Sequence, residues 1–195
     1  VLVIGAETLS RIIDPDDRGT VILFGDGAAG VLLEARGDGP GFEAGNLGVD
    51  GSAADILMVP AGGSRRPASA ETVANGEHFV RMQGQEVFRR AVRAVVESAE
   101  VAMDRADVTA ADIDWFVPHQ ANLRIIEAAR HRLDIPTERT IVNIERYGNT
   151  SAASIPLALA EAADDGRLAI GDRVLLSGFG AGMSWASAVL TWGAA

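Results

Sequence analysis

The spacing of apolar residues changes several times along this chain, and each change marks an element. Residues 1–6 of the opening VLVIGAE form a short apolar run that reads as a buried strand. Residues 20–25, TVILFG, and 30–35, GVLLEA, read as two more strands joined through GDGAAG. Residues 36–82 are rich in Gly, Pro, Ala and Ser; they read as an irregular excursion with one short strand, DILMVP. From Gly84 the period becomes helical. Val87, Phe88, Ala91, Val92, Val95, Val96, Ala99 and Met103 share one face, while Arg89, Arg90, Arg93, Glu97 and Glu100 fall on the other. TAAD at 109–112 predicts a capped turn, followed by strand 114–117, helix 121–133 and strand 140–144. ERYGNTSAASIPLALAEAADDG then reads as a glycine turn entering a helix that Gly166 could end. Pro156 inside that helix predicts a late start or a kink. Strands 173–177 and 184–192 close the chain around GFGAG. The class is α/β. Both VILFGDGAAGVLLEA and VLLSGFGAGMSWASAVLTW read as strand, glycine-rich turn, strand, which hints at two similar α/β halves, the first mostly absent.

Composition narrows the chemistry. The 195 residues are enough for one good-sized core or part of a larger one. No apolar run is long enough to span a bilayer, and the opening strand has no basic flank or cleavage site, so neither a membrane anchor nor a signal peptide is expected. The net charge of -10 argues against nucleic acid as a partner. All 17 basic residues are arginine, which excludes Schiff-base and P-loop lysine chemistry within this sequence. Zero cysteines exclude disulfides and a cysteine nucleophile, and fit a cytoplasmic protein. The three histidines, His78, His119 and His131, have no zinc-binding spacing, so no metal is expected.

GDGAAG matches the spacing of a dinucleotide loop, but a β-rich run follows where the pyrophosphate would need a helix N-terminus. It therefore reads as a tight turn between strands. DWFVPHQANLRIIEAA raises a different question, because an apolar strand delivers His119, Gln120 and Asn122 to its tip. A lone histidine there reads as a hydrogen-bonded structural residue, and Gly148-Asn149 alone as a turn and cap. Phe179 and Trp185 read as core, and Arg89, Arg90 and Arg93 as a solvated helix face. The set as a whole says more. Three successive strand ends offer an imidazole at His119, an amide at Asn149 and bare backbone donors at GFGAG. A neutral histidine and an asparagine aimed at one carbonyl oxygen would stabilise an enolate as it forms.

DWFVPHQANLRII, RYGNTSAASIPLAL, DPDDRGTVILFGDGAAG and SGFGAGMSWASAVL together resemble the β-ketoacyl-acyl-carrier-protein synthase III family of thiolase-fold condensing enzymes. The resemblance runs over essentially the whole chain. It implies a layered αβαβα fold, with residues 1–40 the last strands of the N-terminal half and residues 41–195 the C-terminal half. It implies a decarboxylative Claisen condensation of an acyl-CoA starter with malonyl-acyl carrier protein, initiating fatty acid synthesis, with no cofactor. His119 and Asn149 would donate to the malonyl thioester oxygen, and the backbone N–H near Ala181 would belong to an oxyanion hole. Arg18 and Arg124 match positions associated with coenzyme A or carrier-protein contact. Arg89 would join Arg124 in a basic docking patch, Asn122 would orient the histidine side of the site, and Phe179 would line the substrate wall. The implied partners are acyl carrier protein, coenzyme A thioesters and a second copy, as a homodimer.

The family's nucleophilic cysteine has no counterpart in this sequence. The resemblance therefore implies a C-terminal portion whose companion segment brings the nucleophile, and a fragment that is inactive alone. A related condensing or acyl-transfer enzyme of polyketide or quinolone biosynthesis on the same fold, and a non-catalytic partner subunit, are the alternatives it leaves open.

Overall fold

The computed structural model describes residues 1–35, 37 and 41–193. The domain boundary expected at residue 40 and the middle of GDGPG (38–40) lie outside them. In chain order the strands are β1 (Leu2–Glu7), β2 (Gly27–Leu32), β3 (Phe42–Val49), β4 (Leu57–Met58), β5 (Arg81–Met82), β6 (Trp115–Pro118), β7 (Arg173–Gly180) and β8 (Ser184–Thr191). The helices are α1 (Ala70–Ala74), α2 (Gly84–Arg105), α3 (Leu123–Arg132), α4 (Ile144–Tyr147) and α5 (Ser154–Asp164).

The main sheet runs β3-β8-β7-β6, with β6 parallel to β7 and the other pairs antiparallel. β6 and β7 bury side chains on both faces, while β8 buries Ser187 and Val189 on one. Phe116, Leu175 and Val189 meet Val95, Ala99 and Met103 of α2 and Ala129 of α3 on one side. Val117 and Val174 meet Ala158, Leu159 and Ala162 of α5 on the other. Beyond α5 lies the small antiparallel sheet β1-β2, whose Val31 packs against that second cluster. The succession is helices, sheet, helix, sheet.

Helix ends follow local chemistry. The Asn122 side chain caps α3 by accepting the Arg124 N–H at 2.9 Å, while Arg130, His131 and Arg132 occupy its last turn and complement the helix dipole. α2 has no side-chain cap, but Glu86 in its first turn and Arg105 in its last complement the helix dipole. Pro156 sits in the first turn of α5, where its missing N–H has no helical partner to lose; a 3-10 turn over Ser151–Ala153 delays the helix start as expected. The TAAD turn is a 3-10 turn with a capping box between Thr109 and Asp112.

Five expectations fail. The opening strand is largely exposed, not buried: Leu2, Val3 and Ile4 are 60%, 48% and 63% exposed. Residues 36–82 hold more than one short strand, because β3, α1 and β5 lie among their described residues. Residues 20–25 form turns, not a strand; only Phe24 pairs, in a single parallel bridge to Asn149. Residues 140–144 also form no strand. Thr140 makes one bridge to Phe116, after which the buried Gln120 side chain accepts the Asn143 N–H at 3.0 Å in place of a ladder bond. GDGAAG is not a turn between strands, because its second half is the start of β2. Its glycines permit close approach: a Cβ on Gly25 would lie 2.1 Å from the Tyr147 carbonyl oxygen, and one on Gly27 would lie 3.1 Å from Leu157 and Thr150 side-chain carbons.

Candidate active site

His119 is the first residue past β6. Its backbone N–H donates to the Ser177 carbonyl of β7 at 2.8 Å, extending the parallel ladder by one step, and its carbonyl accepts from Ala121 at 2.9 Å. The ring is held on two sides. Nδ1 lies 2.6 Å from Ser154 Oγ, and Phe179 of β7 meets the imidazole edge-to-face with centroids 5.6 Å apart. Burial pushes the imidazole from its ordinary 6.5 down to about 4, so the ring is neutral near pH 7. Its Nε2 has no partner among the described residues.

Asn149 arrives by a different route from the one its sequence position suggested. It follows α4 and Gly148, whose φ of 67° favours glycine. Its backbone is then clamped by the segment before β2: the N–H donates to Leu23 O at 2.8 Å and the carbonyl accepts from Gly25 at 2.9 Å. Its Oδ1 accepts the Ser151 N–H at 2.9 Å, a turn that holds Ser151 at a φ of 49°. Nδ2 is left with no partner among the described residues.

Both unpartnered nitrogens belong to residues lining one cavity of about 670 Å³. Phe179, Gly180 and Ala181 of the GFGAG stretch line it too, and Leu9, Ile12, Val87 and Phe88 give it an apolar flank. A second cavity of about 500 Å³ meets the first at His119 and Phe179. An oxygen bound between the two nitrogens would receive two neutral donors inside a largely apolar chamber, the environment in which developing negative charge is best stabilised. Among the described residues no cluster of His, Asp or Glu is arranged to hold a metal ion, and no helix is long and apolar enough to cross a membrane.

Residues 1–51 match the family model described as 3-Oxoacyl-[acyl-carrier-protein (ACP)] synthase III, and residues 103–192 match its C-terminal counterpart. The chain belongs to the 3-oxoacyl-ACP synthase III family. A β-ketoacyl-ACP synthase III from Desulfitobacterium hafniense is 52% identical over 191 residues, covering 98% of this chain and 58% of the relative. The solved synthase III from Thermus thermophilus is 49% identical with a TM-score of 0.89, covering all of this chain and 60% of that one. The priming β-ketosynthase of the R1128 polyketide pathway is 37% identical with a TM-score of 0.86, covering 99% of this chain and 57% of that one. The fold is therefore the thiolase-like layering that the resemblance implied, and the chain spans a little under three-fifths of the length of the curated relatives it matches.

Within this synthase III frame the remaining expected residues separate. Phe179 and Asn122 line the cavity with His119, but the Asn122 side-chain oxygen caps α3; the hydrogen-bond partner of the imidazole is Ser154. Arg124 also lines the cavity, its guanidinium lying 5.4 Å from the Phe88 ring centroid. Arg89 lies outside the cavity lining, exposed and ion-paired with Glu86. Arg18 is exposed on the turn before Gly19 and is likewise not part of the lining. Sequence reasoning missed Ser154 and left Gln120 without a role. Gln120 is 1% exposed and donates to Pro118 O at 2.7 Å and Ile141 O at 3.2 Å, tying the histidine loop to the segment that leads to Asn149. The signal for Ser154 was a small polar residue opening a helix directly after the asparagine turn.

Proposed function

We propose that this chain supplies the decarboxylating side of a Claisen condensation between an acyl-CoA starter and malonyl-acyl carrier protein, the step that initiates fatty acid synthesis. The observation that carries the reading is the pair of free neutral donors, His119 Nε2 and Asn149 Nδ2, on residues of one cavity. Both donate to the malonyl thioester carbonyl oxygen. The bond to the carboxylate breaks, carbon dioxide leaves, and its electron pair becomes the enolate whose oxygen the two donors hold. The enolate carbon then attacks an acyl thioester, forming the carbon–carbon bond and expelling a thiolate. That thiolate is a cysteine outside this sequence, so the 195-residue chain alone neither acylates nor condenses. Ala181 contributes its backbone N–H to the acyl oxygen. Coenzyme A thioesters, acyl carrier protein and a second copy of the intact protein are the partners of this reading.

Asn149→Ala in the full-length protein tests it. Loss of one such donor lowers rates by about 10²–10³. Malonyl decarboxylation should fall by that order while acyl transfer to the nucleophile stays near normal, read by carbon dioxide release and by acyl labelling. Equal loss of both steps would refute the assignment. The likeness to the R1128 priming ketosynthase favours one other reading, a condensing enzyme that starts a polyketide. The same donors would serve it, and the acyl-CoA that labels the intact protein fastest separates the two.

A further inference from the structure

Ser154 is the first residue of α5 and is 1% exposed. Its Oγ lies 2.6 Å from His119 Nδ1 and accepts the Gln120 backbone N–H at 3.3 Å. A serine hydroxyl carries two lone pairs and one proton. The Gln120 amide occupies one lone pair. The proton then needs an acceptor, because a buried hydroxyl without one loses its hydration and gains nothing in return. Among the described residues Nδ1 is the acceptor within reach. In the reverse arrangement Nδ1–H would donate to Oγ. That would strand the hydroxyl proton and turn a bare Nε2 lone pair toward the cavity, where it would repel a thioester oxygen.

We propose that Ser154 is a positioning residue: it donates its hydroxyl to His119 Nδ1 and so fixes the imidazole as the tautomer that carries its proton on Nε2, facing the thioester. The proposal rests on the decarboxylating role given above to His119 and Asn149. It assigns two tasks to one short segment. The turn at Asn149 supplies one donor, and the helix that follows sets the chemical form of the other. Imidazole tautomers are close in energy in water, and a fixed partner on one nitrogen decides which is populated.

The test is ¹⁵N NMR of histidine-labelled full-length protein at neutral pH, with His119→Gln used to assign the signal, beside malonyl decarboxylation kinetics. The wild type should show His119 protonated on Nε2. Ser154→Ala should shift the signal toward the other tautomer and lower kcat for decarboxylation roughly tenfold or more, with KM little changed; this is less than the loss of a donor outright. Ser154→Thr keeps the hydroxyl and should restore both readouts; Ser154 is among the residues that line the second cavity. A wild-type signal from the Nδ1–H form, or an unchanged tautomer in Ser154→Ala, overturns the proposal while leaving the broader reading intact if Asn149→Ala still blocks decarboxylation. A shifted tautomer with an unchanged decarboxylation rate overturns the role of His119 as donor, and this proposal with it.

Discussion

The chemistry of His119 turns on which protons it keeps. A half-buried imidazole with a pKa of about 4 is neutral over the range where an ordinary histidine, at 6.5, would be gaining charge. Decarboxylation of a malonyl thioester should therefore show no inflection attributable to His119 between pH of about 7 and 5. A pH–rate profile with an inflection near 6.5 would contradict this. The same depression affects stability. Between 6.5 and about 4 the unfolded chain binds a proton that the folded chain refuses. The folded state is thus at full strength above the unfolded pKa and weakens on acidification through that window, by up to about 3 kcal/mol. Urea titrations at the two ends of the window should show a shallower pH dependence for His119→Gln than for the wild type. At this scale the sequence singled out His119 and Asn149, since imidazole and amide were visible at turns that precede helices, and both residues line one cavity. It could not show Ser154 or Gln120 acting on them. Their roles depend on contacts between α5 and the β6 loop that no local spacing encodes.

Among the elements, the ones with a single buried stripe were the ones that could be read. The alternation of Val87, Ala91, Val95, Ala99 and Met103 with charged neighbours gives α2 directly, because the helix lies with one face on the sheet. The apolar run Val21–Phe24 misled for a physical reason. Leu23 and Phe24 line the cavity and Ile22 is 75% exposed, so none of the three is sheet core. Residues 140–144 misled because a side-chain amide, Gln120, takes the place of a partner strand. The glycines of GDGAAG had two meanings, a turn or a close approach, and only the packed structure chooses between them. Gly25→Ala follows from that choice. Its Cβ would fall 2.1 Å from the Tyr147 carbonyl oxygen, so the backbone must move. Overpacking of this kind costs about 1–3 kcal/mol. Because Gly25 N–H also holds the Asn149 carbonyl, decarboxylation should drop more than the lost stability alone explains. Thermal melting and carbon dioxide release measured on the same variant check this.

For the molecule as a whole, charge and its placement point in different directions. Under the proposed function, the net charge of -10 on these 195 residues would repel an acidic carrier protein at long range, so docking would depend on local cations. Arg89 is offset by Glu86, whereas Arg124 sits at the cavity beside Phe88. Arg124→Glu in the full-length protein should raise KM for malonyl-acyl carrier protein several-fold at low salt, with the difference shrinking as salt rises. Kinetics unchanged at low salt would remove Arg124 from the docking surface. The α/β class was legible from the order of strands and helices and the layering from the family resemblance; the clamp between distant segments was legible from neither. That clamp, the pairing of Asn149 with Leu23 and Gly25, has an evolutionary corollary. A recombination that crossed over between residues 26 and 148 would join one parent's socket to the other parent's asparagine turn. Chimaeras cut there should fold their sheets yet misplace the amide, while crossovers upstream of the socket would transplant the pair intact.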